Sequence, residues 1–143
     1  MTVSAPTRHP HRLLGLAGVG LAATAAAMVT TTLAAALAGA AGVEFEVPDG
    51  GETIPLAGFA VMTGVFSVVG VVIAVALGRW SARPAEGFLW TAVVLTAISL
   101  VPPFVCGATP ATVGALVVLH LVAAAVMIPA LTWRLGRLGC SPD

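Results

Sequence analysis

Lysine, asparagine, glutamine and tyrosine are absent from this 143-residue chain, and charged residues make up only 8% of it. A soluble domain carries about 25% charged residues, because a folded surface has to be solvated. A chain this poor in charge cannot cover a globular surface in water, so its solvent is expected to be lipid. With no lysine, no basic tract and a net charge of zero, nucleic acid is not expected as a partner. The four missing residue types all have codons that a GC-rich genome can avoid, which points to a high-GC bacterium. There is no Cys-x-x-Cys, no Gly-x-Ser-x-Gly and no phosphate-binding glycine loop. The chain therefore reads as a non-enzyme, with no cofactor.

What is present is apolar. Hydrophobic residues make up 59% of the chain, and the mean hydropathy is +1.06. Four segments (13–43, 56–78, 88–106 and 111–133) approach or exceed the roughly 20 residues that a helix needs to cross a bilayer. Pro48, Asp49, Gly50, Gly51 and Pro55 break the first connection, Arg83-Pro84 the second, and Pro102, Pro103, Gly107 and Pro110 surround the third. The expected fold is all-α: an integral membrane four-helix bundle with a short extracytoplasmic acidic hairpin or loop between the first two helices. Residues 1–12 form a basic cytoplasmic tail, 13–137 the transmembrane domain, and 138–143 a second cytoplasmic tail.

Charge placement sets the expected orientation. Arg8 and Arg12 precede the first span, Arg79 and Arg83 separate the second from the third, and Arg134 and Arg137 follow the fourth. In an even-numbered bundle these places share one side, cytoplasmic by the positive-inside rule. Both termini are then inside, in a multi-pass protein of the cell (inner) membrane. Trp80, Trp90 and Trp133 lie near helix ends, where indole favours the headgroup region. A cleaved secretory signal is the competing reading of the N-terminus, because Ala38-Gly39-Ala40 resembles a cleavage site. The apolar run before it far exceeds the 7–15 residues of a signal core, which favours an uncleaved span.

Glu44, Glu46, Asp49 and Glu52 account for four of the six acidic residues and fall in the first loop. Val43, Phe45 and Val47 alternate with Glu44 and Glu46, the period of a half-buried strand. Pro48-Asp49-Gly50-Gly51 supplies turn chemistry, and Glu52-Thr53-Ile54 can return antiparallel. This acidic cluster is a candidate cation or partner site, or a solvated cap. It lacks the regular close ligand spacing of an EF-hand loop, and no metal is assigned to it. Cys106 and Cys140 are expected on opposite sides of the membrane, beyond the roughly 7 Å limit for a disulfide.

His120 is the one ionisable residue within a span. It lies roughly 14 Å deep at 1.5 Å per residue. Thr96, Ser99, Thr63 and Ser67 fall at about 10–17 Å by the same measure. Thr30, Thr31 and Thr32 share that slab. Three stripes of small residues follow helical spacing: Thr63, Ser67, Gly70, Ala74, Gly78; Ala92, Thr96, Ser99, Pro103; and Thr24, Ala27, Thr31, Ala35, Ala38, Gly42. Such seams let helices approach closely in lipid. His120, Ser99, Thr96, Thr63, Ser67 and Thr31 thus form a candidate intramembrane polar site. Its histidine either locks helix register through hydroxyls or serves a ligand; haem held by two histidines would need a second chain.

The acidic VEFEVPDGGETIPLAGFA entry into the second span, the Arg-Pro before the third and LHLVAAAVMIPAL in the fourth resemble a family of small four-helix actinobacterial membrane proteins, a domain of unknown function. The resemblance implies a multi-pass inner-membrane protein and supplies no activity. The expected function is a non-enzymatic envelope or helix-packing protein, with lipid and itself or another membrane protein as partners. The alternative is a small transporter or lipid-ligand-binding protein using the layer around His120.

Overall fold

In the computed structural model of the chain, residues 9–46, 51–105 and 107–139 are described. They form α1 (His9–Ala40), α2 (Leu56–Trp80), α3 (Pro84–Ser99), a short α4 (Val101–Val105) and α5 (Pro110–Gly139). With α3 and α4 taken as one broken span, four helical segments are long and apolar enough to cross a membrane: His11–Ala40, Leu56–Trp80, Pro84–Val105 and Pro110–Leu138. α1 starts one turn before Leu13 and so draws Arg12 into the helix. Cys106 and Cys140, with the expectation attached to them, lie outside the described residues.

Local chemistry sets each boundary. Gly42 closes α1 at φ +91°, a conformation that suits a residue without Cβ. Val43 N–H donates to Ala38 O and Gly42 N–H to Gly39 O, both at 3.0 Å. That pair of bonds is the Schellman closure. Pro84 opens α3 at its first helical position, where a missing N–H costs nothing. Pro102 and Pro103 cannot donate to the carbonyls one turn back, so the third span breaks at Leu100 between α3 and α4. α5 instead carries Pro129 inside a continuous helix.

The spans run up and down in turn. α1 packs along α2 and α5, α3 packs on α5 and α2, and α2 meets α5 across the middle. The backbones of α1 and α3 do not come close to each other among the described residues. One core cluster fills the half nearer the arginines, with Leu16, Ala23, Ala27, Val71, Ala74, Phe88, Met127, Leu131 and Leu135. A second, of Ala35, Phe45, Phe59 and Leu119, fills the other half. Large apolar side chains cover the outside, among them Leu21, Leu33, Val65, Phe66 and Ile98.

Close approach explains the α1–α2 pairing. A Cβ at Gly20 would lie 2.6 Å from Val71 Cγ2, and one at Gly64 would lie 3.0 Å from Met28 Sδ. Lipid tails are as apolar as leucine, so this interface is held by contact between packed atoms. Gly70 meets nothing within 4 Å, so this member of the sequence-predicted stripe is not at the contact. Gly20→Val should therefore wedge α1 from α2 and cost about 1–3 kcal/mol. Gly70→Ala should raise stability by about 0.5–1 kcal/mol through helix propensity. Thermal midpoints in mild detergent check both, and equal losses at the two sites would refute the packing assignment.

Candidate functional site: the polar layer and the acidic loop

Each helix presents its small polar residues differently. On α1, Thr24, Ala27, Thr31 and Ala35 are all buried. On α2, Ser67 and Ala74 are buried while Thr63 is half-buried. On the third span, Ala92, Thr96 and Ser99 are half-buried and Pro103 is buried. The Gly20–Val71 and Met28–Gly64 contacts set the antiparallel register of α1 and α2, which puts Ser67 level with Thr24.

Most intraspan polar groups are satisfied by the helix that carries them. Thr24 donates to Gly20 O at 2.9 Å, Thr30 to Ala26 O at 2.8 Å and Thr32 to Met28 O at 2.7 Å. Thr91 donates to Gly87 O at 2.8 Å and Ser99 to Thr96 O at 2.7 Å. His120 does the same: Nδ1 is 2.8 Å from Leu116 O, one turn back, so this nitrogen carries the proton. Thr31 and Thr132 are exceptions, each with a buried hydroxyl unpartnered among the described residues, and Thr31 is only 3% exposed. Thr31 sits between the two core clusters, one turn from Ala27 and one from Ala35. No hydrogen bond among the described residues joins His120 to Thr31, Thr63, Ser67, Thr96 or Ser99.

The acidic loop is fixed through its backbone. Glu46 and Thr53 form an antiparallel bridge, and Ile54 N–H donates to Phe45 O at 2.8 Å. Phe45 turns inward onto Phe59, with ring centroids 4.8 Å apart and planes at 64°, the favoured edge-to-face geometry. Thr112 Oγ1 donates to the Glu44 carbonyl at 2.7 Å, joining the loop to α5. Glu44, Glu46 and Glu52 are exposed, and Asp49 lies outside the described residues. No group of three metal-ligating side chains occurs among the described residues.

Sequence reasoning missed Thr112, although a signal was present. Thr109-Pro110-Ala111-Thr112 has a capping residue followed by proline at the first helical position. Thr112 N–H does donate to Thr109 Oγ1, at 3.3 Å. Arg134, also missed as a half-buried group, had no local signal. A Cβ at Gly15 would lie 2.5 Å from its Nη2, and its Nε is buried without a partner.

The opposite end collects cations and indoles. Arg12, Arg79, Arg83, Arg134 and Arg137 all lie there, with Trp80, Trp90 and Trp133 exposed around them. Arg83 pairs with Glu86 at 3.3 Å, and the Arg137 guanidinium lies 3.8 Å from the Trp133 ring centroid. Both are surface contacts.

Two outcomes follow. Thr112→Val should cost about 1 kcal/mol and speed hydrogen exchange at the Ile54 amide, because a part-buried carbonyl loses its donor. Glu44→Gln should change neither, because the carboxylate takes no part. For His120→Leu the bond lost is within one helix, so the thermal midpoint in detergent should reflect no more than about 0.6 kcal/mol. A loss of several times that would reveal a wider network around the ring.

Comparison with known proteins adds a family. No curated protein and no solved structure matches the chain. The profile of a family of unknown function, DUF6069, matches residues 11–137 and so takes in every membrane-length helix. The chain belongs to the family of unknown function DUF6069.

Proposed function

We propose that the protein is a non-enzymatic, multi-pass envelope protein of a bacterial cell membrane, of the actinobacterial kind. It acts by helix packing against itself or another membrane protein. Both termini are cytoplasmic, and the Glu44–Glu52 loop faces the outside. One observation carries the reading: the polar side chains of the spans mostly bond carbonyls of their own helices. Groups satisfied in this way are not preorganised towards a reacting atom or a transported solute.

The alternative, a transporter or lipid-ligand carrier built on His120, has less support. A hollow of about 530 Å³ opens beside Phe104, Pro110, Val113 and Val117, and another of about 140 Å³ lies at the arginine end. Neither is lined by His120 or by the five hydroxyl residues grouped with it. Orientation rests on the five described arginines and three indoles at one end and the exposed glutamates at the other.

Labelling on intact cells tests the topology, in a background with Cys106 and Cys140 replaced by serine. Glu46→Cys should react with a membrane-impermeant maleimide, and Ala82→Cys should react only after lysis. The reverse pattern would turn the protein over and place the acidic loop in the cytoplasm.

A further inference from the structure

At the arginine end, the start of α1 and the ends of α2 and α5 enclose a hollow of about 140 Å³ lined by Arg12, Leu13, Gly78, Arg79 and Leu138. That is room for several water molecules. Its walls divide by chemistry, with two guanidinium side chains and two leucines, and Gly78 lets α2 lie close to the neighbouring helices. A Cβ at Gly78 would lie 3.3 Å from Leu135 and 3.5 Å from Leu16, so a larger residue would crowd the neighbouring core.

Among the described residues, most of the charge here is not neutralised. Arg12 and Arg79 have no ion pair among the described residues, and the one carboxylate described at this end, Glu86, is taken by Arg83. A third cation lies underneath. Arg134 is one turn from Leu138 along α5, and its guanidinium packs on Gly15, about one turn from Arg12 along α1. Its Nε is buried with no partner among the described residues, while the side chain as a whole is half-buried. A cation held partly out of water is favoured by an anion nearby.

We propose that this hollow binds the phosphodiester headgroup of an anionic glycerophospholipid. Arg12 and Arg79 grip the phosphate, Arg134 adds field from below, and an acyl chain descends past Leu13 and Leu138. Guanidinium forks match phosphate oxygens in geometry as well as charge. Basic pockets between membrane helices on the cytoplasmic side recognise such headgroups. Trp80, exposed beside Arg79, marks the depth at which headgroups lie. The inference rests on the membrane reading above.

Native mass spectrometry of the full chain in mild detergent provides the test, with phosphatidylglycerol, phosphatidylcholine and inorganic phosphate as separate probes. Wild type should retain one phosphatidylglycerol at least tenfold more tightly than phosphatidylcholine, and excess inorganic phosphate should not displace it. Arg12→Gln/Arg79→Gln should lose at least tenfold in affinity for phosphatidylglycerol. Arg83→Gln/Arg137→Gln, which removes the same two charges at the same end but outside the hollow, should stay within threefold of wild type. Equal loss in Arg83→Gln/Arg137→Gln would reduce the effect to diffuse surface charge and overturn the site. So would equal retention of phosphatidylcholine, or displacement by phosphate, which would make it a free-anion site. The wild-type comparisons hold even if either double variant fails to fold. Fractionation separates the two readings: a chain in the membrane pellet without lipid preference overturns this inference alone, and one in the aqueous fraction overturns both.

Discussion

Close contact between α1 and its neighbours is the constraint on which the rest of the structure depends. Between apolar helices in lipid, transfer from water contributes nothing, and attraction comes from atoms in contact. Gly20 admits Val71, Gly64 admits Met28 and Gly15 admits the Arg134 side chain. The Gly20–Val71 approach excludes a Cβ, while at Gly64 and Gly15 the neighbours are the flexible Met28 and Arg134 side chains. α1 thereby reaches both α2 and α5, and α3 completes the bundle by packing on α5 and α2.

Packing this close leaves little room for polar groups between helices. Hydroxyls at Thr24, Thr30, Thr32 and Thr91 fold back on carbonyls of their own helix, and the His120 ring does the same. Such bonds keep the interior satisfied without linking elements, so they add little to specificity. The exception is at the acidic end. There Thr112 bonds the Glu44 carbonyl, a side-chain hydrogen bond that joins the loop to α5. Together with the Phe45–Phe59 contact, it seats a loop whose carboxylates remain exposed.

The two ends therefore differ in kind. One is closed by backbone hydrogen bonding and an aromatic pair, and it turns acidic side chains outward. The other is left open between α1, α2 and α5, rimmed by arginines and ringed by indoles. An asymmetric end pair of this sort suits a protein whose environment differs on its two sides.

The sequence by itself determined the helical class, the four membrane-length segments and the clustering of arginines away from the acidic loop. Each is a property of composition or of charge order along the chain, and none needs a neighbour to be specified. Tertiary structure decided which small residues make contact. Gly70 and Gly20 look alike on a helical wheel, but only Gly20 faces a side chain, because helix rotation is set by all partners at once. It also decided the fate of the polar layer. Depth arithmetic could place His120, Thr96, Ser99, Thr63, Ser67 and Thr31 in one slab, but depth is one coordinate of three. Whether a hydroxyl turns to a partner helix or to its own carbonyl depends on rotamer and on interhelix distance. Thr31 alone of its Thr30–Thr32 run is sealed in without a bond, and Arg134 is drawn onto Gly15 from the far end of the chain. Contacts between residues so distant in sequence arise only when the helices pack.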